Sequence, residues 1–454
     1  MICAGLLLSF AIQAQSTPTQ APVLEPGLSA VWHGAHGSPE GSISHERFER
    51  FLGRTFKSKL VGQDALKRIL QIELIETAAN EAGLTADADE LDSRIRAARE
   101  AAKEAGYELE VLVIERGLSM DEFSRLMRNS LLHEMLVRQE LAIPAEQPVT
   151  GAQLQDWSQA HMQALLQLAK NAPAGLALDA PPYHVTEAEI GKVLRRSLGP
   201  TRLHEYLEQL VLQEAMPAWA AVQSLTLTDD ILEAEINWRR QTVTDNPAYA
   251  GATYEGLLGT QGATVESVRK SSELRVAAYL RLYSEREYPD SWFASLSEKE
   301  LADYDLKFGP SRFVSWFLLR TVDKKMTELD RDSTMAIAEL EAYKARAKTE
   351  GFHTLAGKFS EDDPTRRRKG ALGWLHKIEA GIDPSVCASA FAAPLNQVIG
   401  PIPVKGGQAL LIVENERPGL PQADFQKEVR RSFHKSLRKQ FLQEIGFLSA
   451  YSPL

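Results

Sequence analysis

The residues whose types and spacing could do chemistry are few. Glu361-Asp362-Asp363 sets three carboxylates in a row, and Arg366-Arg367-Arg368-Lys369 sets four cations just after them. A carboxylate can act as a general acid or base, and a guanidinium cluster can grip an anion or an acidic peptide. As runs on a loop, the same residues read as a solvated acidic turn and a solvated basic stretch. Other chemistries lack their parts. The ten histidines and two cysteines show neither H-x-x-x-H nor C-x-x-C metal spacing. Gly256-Leu257-Leu258-Gly259 has no lysine behind it, and no serine stands in a nucleophile elbow. No metal and no cofactor is expected.

The elements that must position Asp362 begin at Ser311. Phe313 to Leu319 is an apolar run of strand length, and a helix is expected over Ser333 to Lys348. Phe352-His-Thr-Leu-Ala-Gly-Lys-Phe-Ser-Glu-Asp362 follows, then Gly370-Ala-Leu-Gly-Trp374. Ala390-Phe391, Val398-Ile-Gly-Pro401 and Gly407-Gln-Ala-Leu-Leu-Ile-Val413 complete the segment.

In that order and spacing the pieces resemble a parvulin-type peptidyl-prolyl isomerase over residues 311–417. The family pattern F-x-x-L-A-x-x-F-S-x-D is met from Phe352 through Asp362, and G-G-x-L-G-W survives as Gly370, Leu372, Gly373 and Trp374. Val398, Gly400 and Pro401 match the next motif, and Gly407, Leu410, Leu411 and Val413 the last. The resemblance implies a pocket of two facing histidines, a nearby Cys or Asp, and an apolar cup for the proline ring. Here Trp316 and Ala409 occupy the histidine positions, while Asp362 keeps the Cys/Asp position. Ile382 and Val386 stand where Met or Leu and Phe are usual, and Phe391 remains. Asp362 is therefore the catalytic candidate, with Trp316, Ile382, Val386 and Phe391 lining the substrate side. An imidazole pair can trade protons within a hydrogen-bond network, which Trp and Ala cannot do. The implied domain is thus expected to fold but to isomerise poorly, and an extended peptide could still bind along its strand edge.

Ahead of this segment one unit occurs twice. Ala65 to Ile75 runs parallel to Tyr206 to Met216, so that Leu66 answers Leu207 and Leu70 answers Val211. Without a gap, Leu91 and Ile95 then answer Leu232 and Ile236. Ile43 to Phe48 resembles Val185 to Ile190, Gly117 to Phe123 resembles Gly262 to Val268, and Thr150, Leu154 and Trp157 answer Ser297, Leu301 and Tyr304. Ordered self-similarity is the mark of a repeated unit. Helical spacing of the apolar residues makes both copies helical, and Pro217 is expected to kink or end the second copy's main helix. Ala30-Val31, Ile43 to Phe48, Gly83-Leu84-Thr85 to Ile95 and Gly117-Leu118-Ser119 resemble the N-terminal domain of SurA-family periplasmic chaperones. That resemblance implies a domain that holds apolar polypeptide segments.

At the chain's start, Met1 to Ala14 is a short apolar run ending in small residues, followed by the polar, Pro-rich stretch Gln15 to Pro26. It fits the apolar part of a secretory signal, although no Lys or Arg precedes it. Either the true start lies upstream, or the run is a frayed apolar terminus. Removal of Cys3 with a signal would leave Cys387 alone, so no internal disulfide is expected. No other stretch approaches the ~18 apolar residues of a membrane helix. A formal net charge of −10 disfavours nucleic acid as a partner. Hydrophobic and charged fractions of 44% and 25% are those of a globular protein. After Pro421, Phe425, Val429, Phe433, Leu437, Phe441 and Ile445 form an i+4 apolar row on a basic helix, expected to return and complete a helical unit.

The expected architecture is α+β and mostly helical. It has a signal at 1–14, a linker at 15–27, SurA-like helical units at 28–160 and 182–306, a parvulin-like domain with a small antiparallel sheet at 311–417, and a closing helix at 421–449. The expected function is that of a periplasmic or otherwise exported chaperone binding unfolded or proline-containing polypeptides. A working isomerase rebuilt around Asp362 and a non-catalytic scaffold for one dedicated partner are the alternatives. Nothing in the sequence sets an oligomeric state.

Overall fold

A computed structural model describes residues 24–169, 172–249, 251–322 and 330–452. The expected signal and most of the expected linker lie outside the described residues. The fold is α+β and mostly helical, and the described residues form a four-stranded antiparallel sheet, a small three-stranded sheet and a two-stranded ribbon. Among the described residues no helix is long and apolar enough to cross a membrane. The described residues divide into two compact units, one holding 24–35, 39–215 and 444–452, the other 36–38 and 216–443.

In the first unit a hairpin, β1 (Leu28–Trp32) and β2 (Gly41–Ser44), leads into α1 (His45–Phe56) and α2 (Leu60–Glu81). The same order returns as β3 (Leu176–Ala180), β4 (Tyr183–Thr186), α7 (Glu187–Ser197) and α8 (Pro200–Val222). Both hairpins are irregular at the same place: Leu28 pairs with Ser44 but Ala30 with Ile43, and Leu176 pairs with Thr186 but Leu178 with Val185. Ser44 and Thr186 each cap the following helix through the side-chain oxygen, and Thr186 adds the reciprocal Glu189 of a capping box. Between the hairpins lie α3 (Ala88–Glu104), α4 (Leu109–Glu115), α5 (Met120–Glu140) and α6 (Gly151–Leu168).

Two cores form there. Leu74, Ile75 and Ala79 of α2 pack with Leu132, Leu136 and Trp157, while Leu109, Val113, Phe123 and Met127 enclose the α4–α5 corner. Helices α1 and α7 cross closely because glycine stands at the contact. A Cβ on Gly53 would lie 1.7 Å from the Glu187 carbonyl oxygen, and one on Gly191 would lie 1.7 Å from that of Glu49. Phe48, Leu52, Ile190 and Leu194 are fully enclosed on either side. The buried Glu187 carboxylate is met by Arg54 and Lys57, and Arg195 bonds Glu49 at 2.8 Å. A further two-residue strand, Leu448–Ser449, pairs with Ala30 and Val31 of β1.

The second unit continues the repeated order. Helices α9 (Asp229–Asp245), α10 (Tyr254–Thr260), α11 (Val265–Arg269), α12 (Ser272–Glu287), α13 (Asp290–Ser295) and α14 (Glu298–Phe308) follow, with N-caps at Thr228, Thr264 and Ser297 answering Asp87, Ser119 and Thr150. Leu66 and Leu207 are buried, as is Ile236, whereas Ile95 is half-buried. Helix α8 runs through Pro217 to Val222 rather than ending there. Met216, Trp219 and Ala220 are fully enclosed around the proline, and their burial holds the turn that lacks its amide.

The parvulin-like segment supplies β5 (Ser311–Arg320), α15 (Ser333–Glu350), α16 (Phe352–Phe359), α17 (Asp363–Arg366), β6 (Ala371–Leu375), α18 (Pro384–Ala392), β7 (Val398–Val404) and β8 (Gly407–Arg417). The expected single last helix is two, α19 (Gln422–Ser432) and α20 (His434–Glu444), and it stops before Leu448, which is in strand β9 (Leu448–Ser449). The break falls at Phe433, whose ring stacks on Tyr288 at 4.2 Å and meets Trp292 and Tyr304 edge-on. Farther along, Phe441 meets Trp219, which also packs on Tyr283. Glu235, almost fully buried, accepts two bonds from Arg431 at 2.7 and 3.1 Å.

Candidate functional site

The four-stranded sheet runs β6-β5-β8-β7, antiparallel throughout. One face is covered by α15 and α16, where Phe317, Leu319 and Leu410 meet Ala336, Leu340, Phe352 and Leu355. The other face carries Val314, Leu411 and Val413 under Val386, Ala390 and Ala393 of the α18 region. Side chains alternate between the faces, so Trp316 and its cross-strand partner Leu411 share the α18 face, and Ala409 falls on that face too.

Trp316 is half-buried and packs on that core together with Leu372, Ile382, Ile399 and Ile402. Its indole N–H donates to Thr365 Oγ1 at 2.8 Å and reaches Asp362 Oδ2 at 3.3 Å. Thr365 in turn donates its hydroxyl to Asp362 Oδ2 at 2.5 Å and its backbone N–H to the same oxygen at 3.3 Å. Asp362 is thereby the N-cap of α17, a one-turn helix. Ala409 is fully enclosed, paired with Leu318 on one side and Ile402 on the other.

Of the residues singled out from the sequence, Trp316, Asp362, Ile382 and Val386 come together on or beside one face. Val386 is fully buried, so its contribution is to the floor beneath the face. Phe391 sits apart from that cluster: one position beyond buried Ala390 on α18, it turns to Arg312, whose guanidinium lies 5.6 Å from the ring centroid. That cation also ties the end of α18 through the carbonyls of Ala390 and Ala393. The basic run is only partly free: Arg366 pairs with Asp363, and Arg368 donates to the Pro364 carbonyl.

Thr365 and Leu372 were not among the sequence-level candidates. The signal for Thr365 was its place three residues beyond an aspartate, the capping spacing. Nothing in this arrangement can shuttle a proton between two facing bases. The Trp316 indole and the Thr365 hydroxyl and amide all converge on Asp362 Oδ2 or on one another, and among the described residues no group of His, Cys, Asp and Glu is arranged to hold a metal ion.

Residues 318–415 match the family model of the rotamase, or PPIC-type PPIASE, domain. No curated protein matches the chain. Among solved structures, the peptidylprolyl isomerase PrsA of Bacillus anthracis is 15% identical, covering 53% of this chain and 97% of its own at a TM-score of 0.25. The foldase protein PrsA of Streptococcus pneumoniae is 17% identical over 59% of this chain and 90% of its own, with a TM-score of 0.28. A chain from the Campylobacter jejuni pair PEB4 and Cj1289, described as structurally related SurA-like chaperones, is 14% identical over 60% and 95%, with a TM-score of 0.21.

Proposed function

Residues 318–415 belong to the PPIC-type rotamase family, and from that premise we propose that the chain is an exported folding factor that holds unfolded polypeptide. In this reading the rotamase domain isomerises prolyl bonds weakly or not at all. The helical units at 28–160 and 182–306 then serve as the holding arms. Export belongs to the same proposal and rests on the apolar run at 1–14.

The observation that carries it is the Trp316–Thr365–Asp362 chain of hydrogen bonds, in a place where the resemblance implies a histidine and a Cys or Asp. Asp362, the residue on which a rebuilt active site would depend, is engaged as a helix cap by two donors from Thr365. Lowering the ~18–20 kcal/mol barrier of amide rotation requires interactions that strengthen as the bond twists. A capped carboxylate and a methyl group at position 409 offer none.

The test pairs two measurements on the full chain. A prolyl-peptide isomerisation assay is expected to give rates near the uncatalysed exchange, which takes tens of seconds at room temperature. Titration with a panel of unfolded polypeptides is expected to show broad, weak binding. Family-like isomerase rates that vanish in Asp362→Ala would install the working-isomerase alternative. Indifference to every unfolded polypeptide, with tight binding of one folded protein, would install the scaffold.

A further inference from the structure

Beside the edge strand β6 lies a groove of about 600 Å³, bordered by α9, the end of α14 and the start of α19. That volume is in the range, about 300–1,000 Å³, of sites that enclose a ligand. Trp238, Phe308 and Trp374 give it flat apolar walls, and Asp245, Glu379 and Glu428 give it carboxylates. We propose that this groove is a subsite for an extended client segment bearing a lysine or arginine next to apolar residues. The inference rests on the client-binding reading above and says which segments are chosen.

Charge argues for the cation. Arg417, the one arginine or lysine in the lining, is already consumed: it bonds Asp245 at 2.8 Å and stacks 3.7 Å from the centre of the Trp374 ring. Glu379 accepts from the His376 amide, a neutral donor that leaves its charge unbalanced. The Glu428 carboxylate, on α19, makes no hydrogen bond or ion pair among the described residues. Burial pushes its carboxyl above the usual range, with nearby Arg431 opposing and Glu235 reinforcing the rise. Arg431 itself is committed to Glu235 through two bonds and lies over Trp238. A half-buried carboxylate facing a groove whose arginine is already paired elsewhere is completed by an ammonium or guanidinium from outside.

Shape argues for extended polypeptide. β6 is paired on one side only, by β5. Gly373 in that strand has φ +112°, and a Cβ there would stand 3.1 Å from Pro247 Cδ. The missing side chain therefore lets a proline ring of the chain itself rest on the strand, which marks the surface as one that receives irregular backbone. Flat aromatic rings around it take apolar side chains of any sequence.

The experiment uses the full chain and two short fluorescent peptides of one apolar sequence, differing only in a central lysine or glutamine. Fluorescence anisotropy should give roughly tenfold tighter binding of the lysine peptide, the size of one charge-assisted hydrogen bond. Glu428→Gln should erase that preference, bringing the two peptides to the same affinity. A lysine preference that survives in Glu428→Gln, or none in the wild type, overturns the groove and leaves the client-binding reading intact. Failure of both peptides to bind overturns both. Should Glu428→Gln not fold, a photo-crosslinker beside the peptide lysine decides on wild-type protein. Labelling within 238–247, 372–379 or 417–428 supports the groove, and labelling elsewhere overturns it.

Discussion

Asp362 shows how a residue can keep its place in a motif and change its work. Its carboxylate caps α17 and closes the bridge to Trp316. Asp362→Ala should therefore cost about 1 kcal/mol of stability in urea unfolding, the usual worth of an N-cap, while leaving the prolyl-isomerisation rate where it was. His434 is the clearest titrating residue. Burial first, then Arg431, Arg438 and Arg281, hold its imidazole down from the ordinary 6.5 to about 4. The unfolded chain thus takes up the proton earlier as pH falls. Stability from this site is whole above pH 6.5 and is lost as pH drops toward 4, on the order of 3 kcal/mol. Stability curves at several pH values should be flatter across that window for His434→Gln than for wild type. At this scale the sequence disclosed what was missing, since Trp316 and Ala409 stand at motif positions. It did not disclose Thr365, whose bond needs a one-turn helix that no periodicity announces. Nor did it disclose the turn of Phe391, because one step along α18 rotates a side chain by about 100°.

Among elements, the α1–α7 crossing depends most on single atoms. Gly191→Ala would drive a methyl into the Glu49 carbonyl. Backbone cannot yield as a flexible side chain does, so a loss at the upper end of the about 1–3 kcal/mol typical of overpacking is expected from thermal unfolding. Gly62→Ala serves as a comparison: its methyl would meet the Phe56 carbonyl at 2.0 Å, within one helix-to-helix turn, and should harm local structure without parting α1 from α7. The recurring order of hairpin, caps and apolar stripes was legible because each is a local signal. The continuation of α8 through Pro217 and the break at Phe433 were not, because each is decided by distant aromatic packing. Propensity is silent about such partners.

For the molecule as a whole, each compact unit draws on separated stretches of chain. In the first, Ile445 is fully buried and its carbonyl accepts from the His33 amide at 2.8 Å. Ala450 donates to the Ser29 carbonyl, and the Tyr451 ring lies 5.9 Å from that of Phe48. Removing 444–454 should lower the first unit's thermal midpoint and open α1 to protease, with a loss of at least about 2 kcal/mol for Ile445 alone. The repeated unit was readable as a pattern, but its pairing with so remote a strand was not, since two residues carry no pattern. That pairing also sets a clock. A ribosome delivers β9 roughly 400 residues after β1, so the first unit carries an uncovered strand edge until Leu448 and Ser449 have emerged. A nascent chain halted before Leu448 would carry that open edge into whatever compartment received it, where a finished molecule presents none at β1.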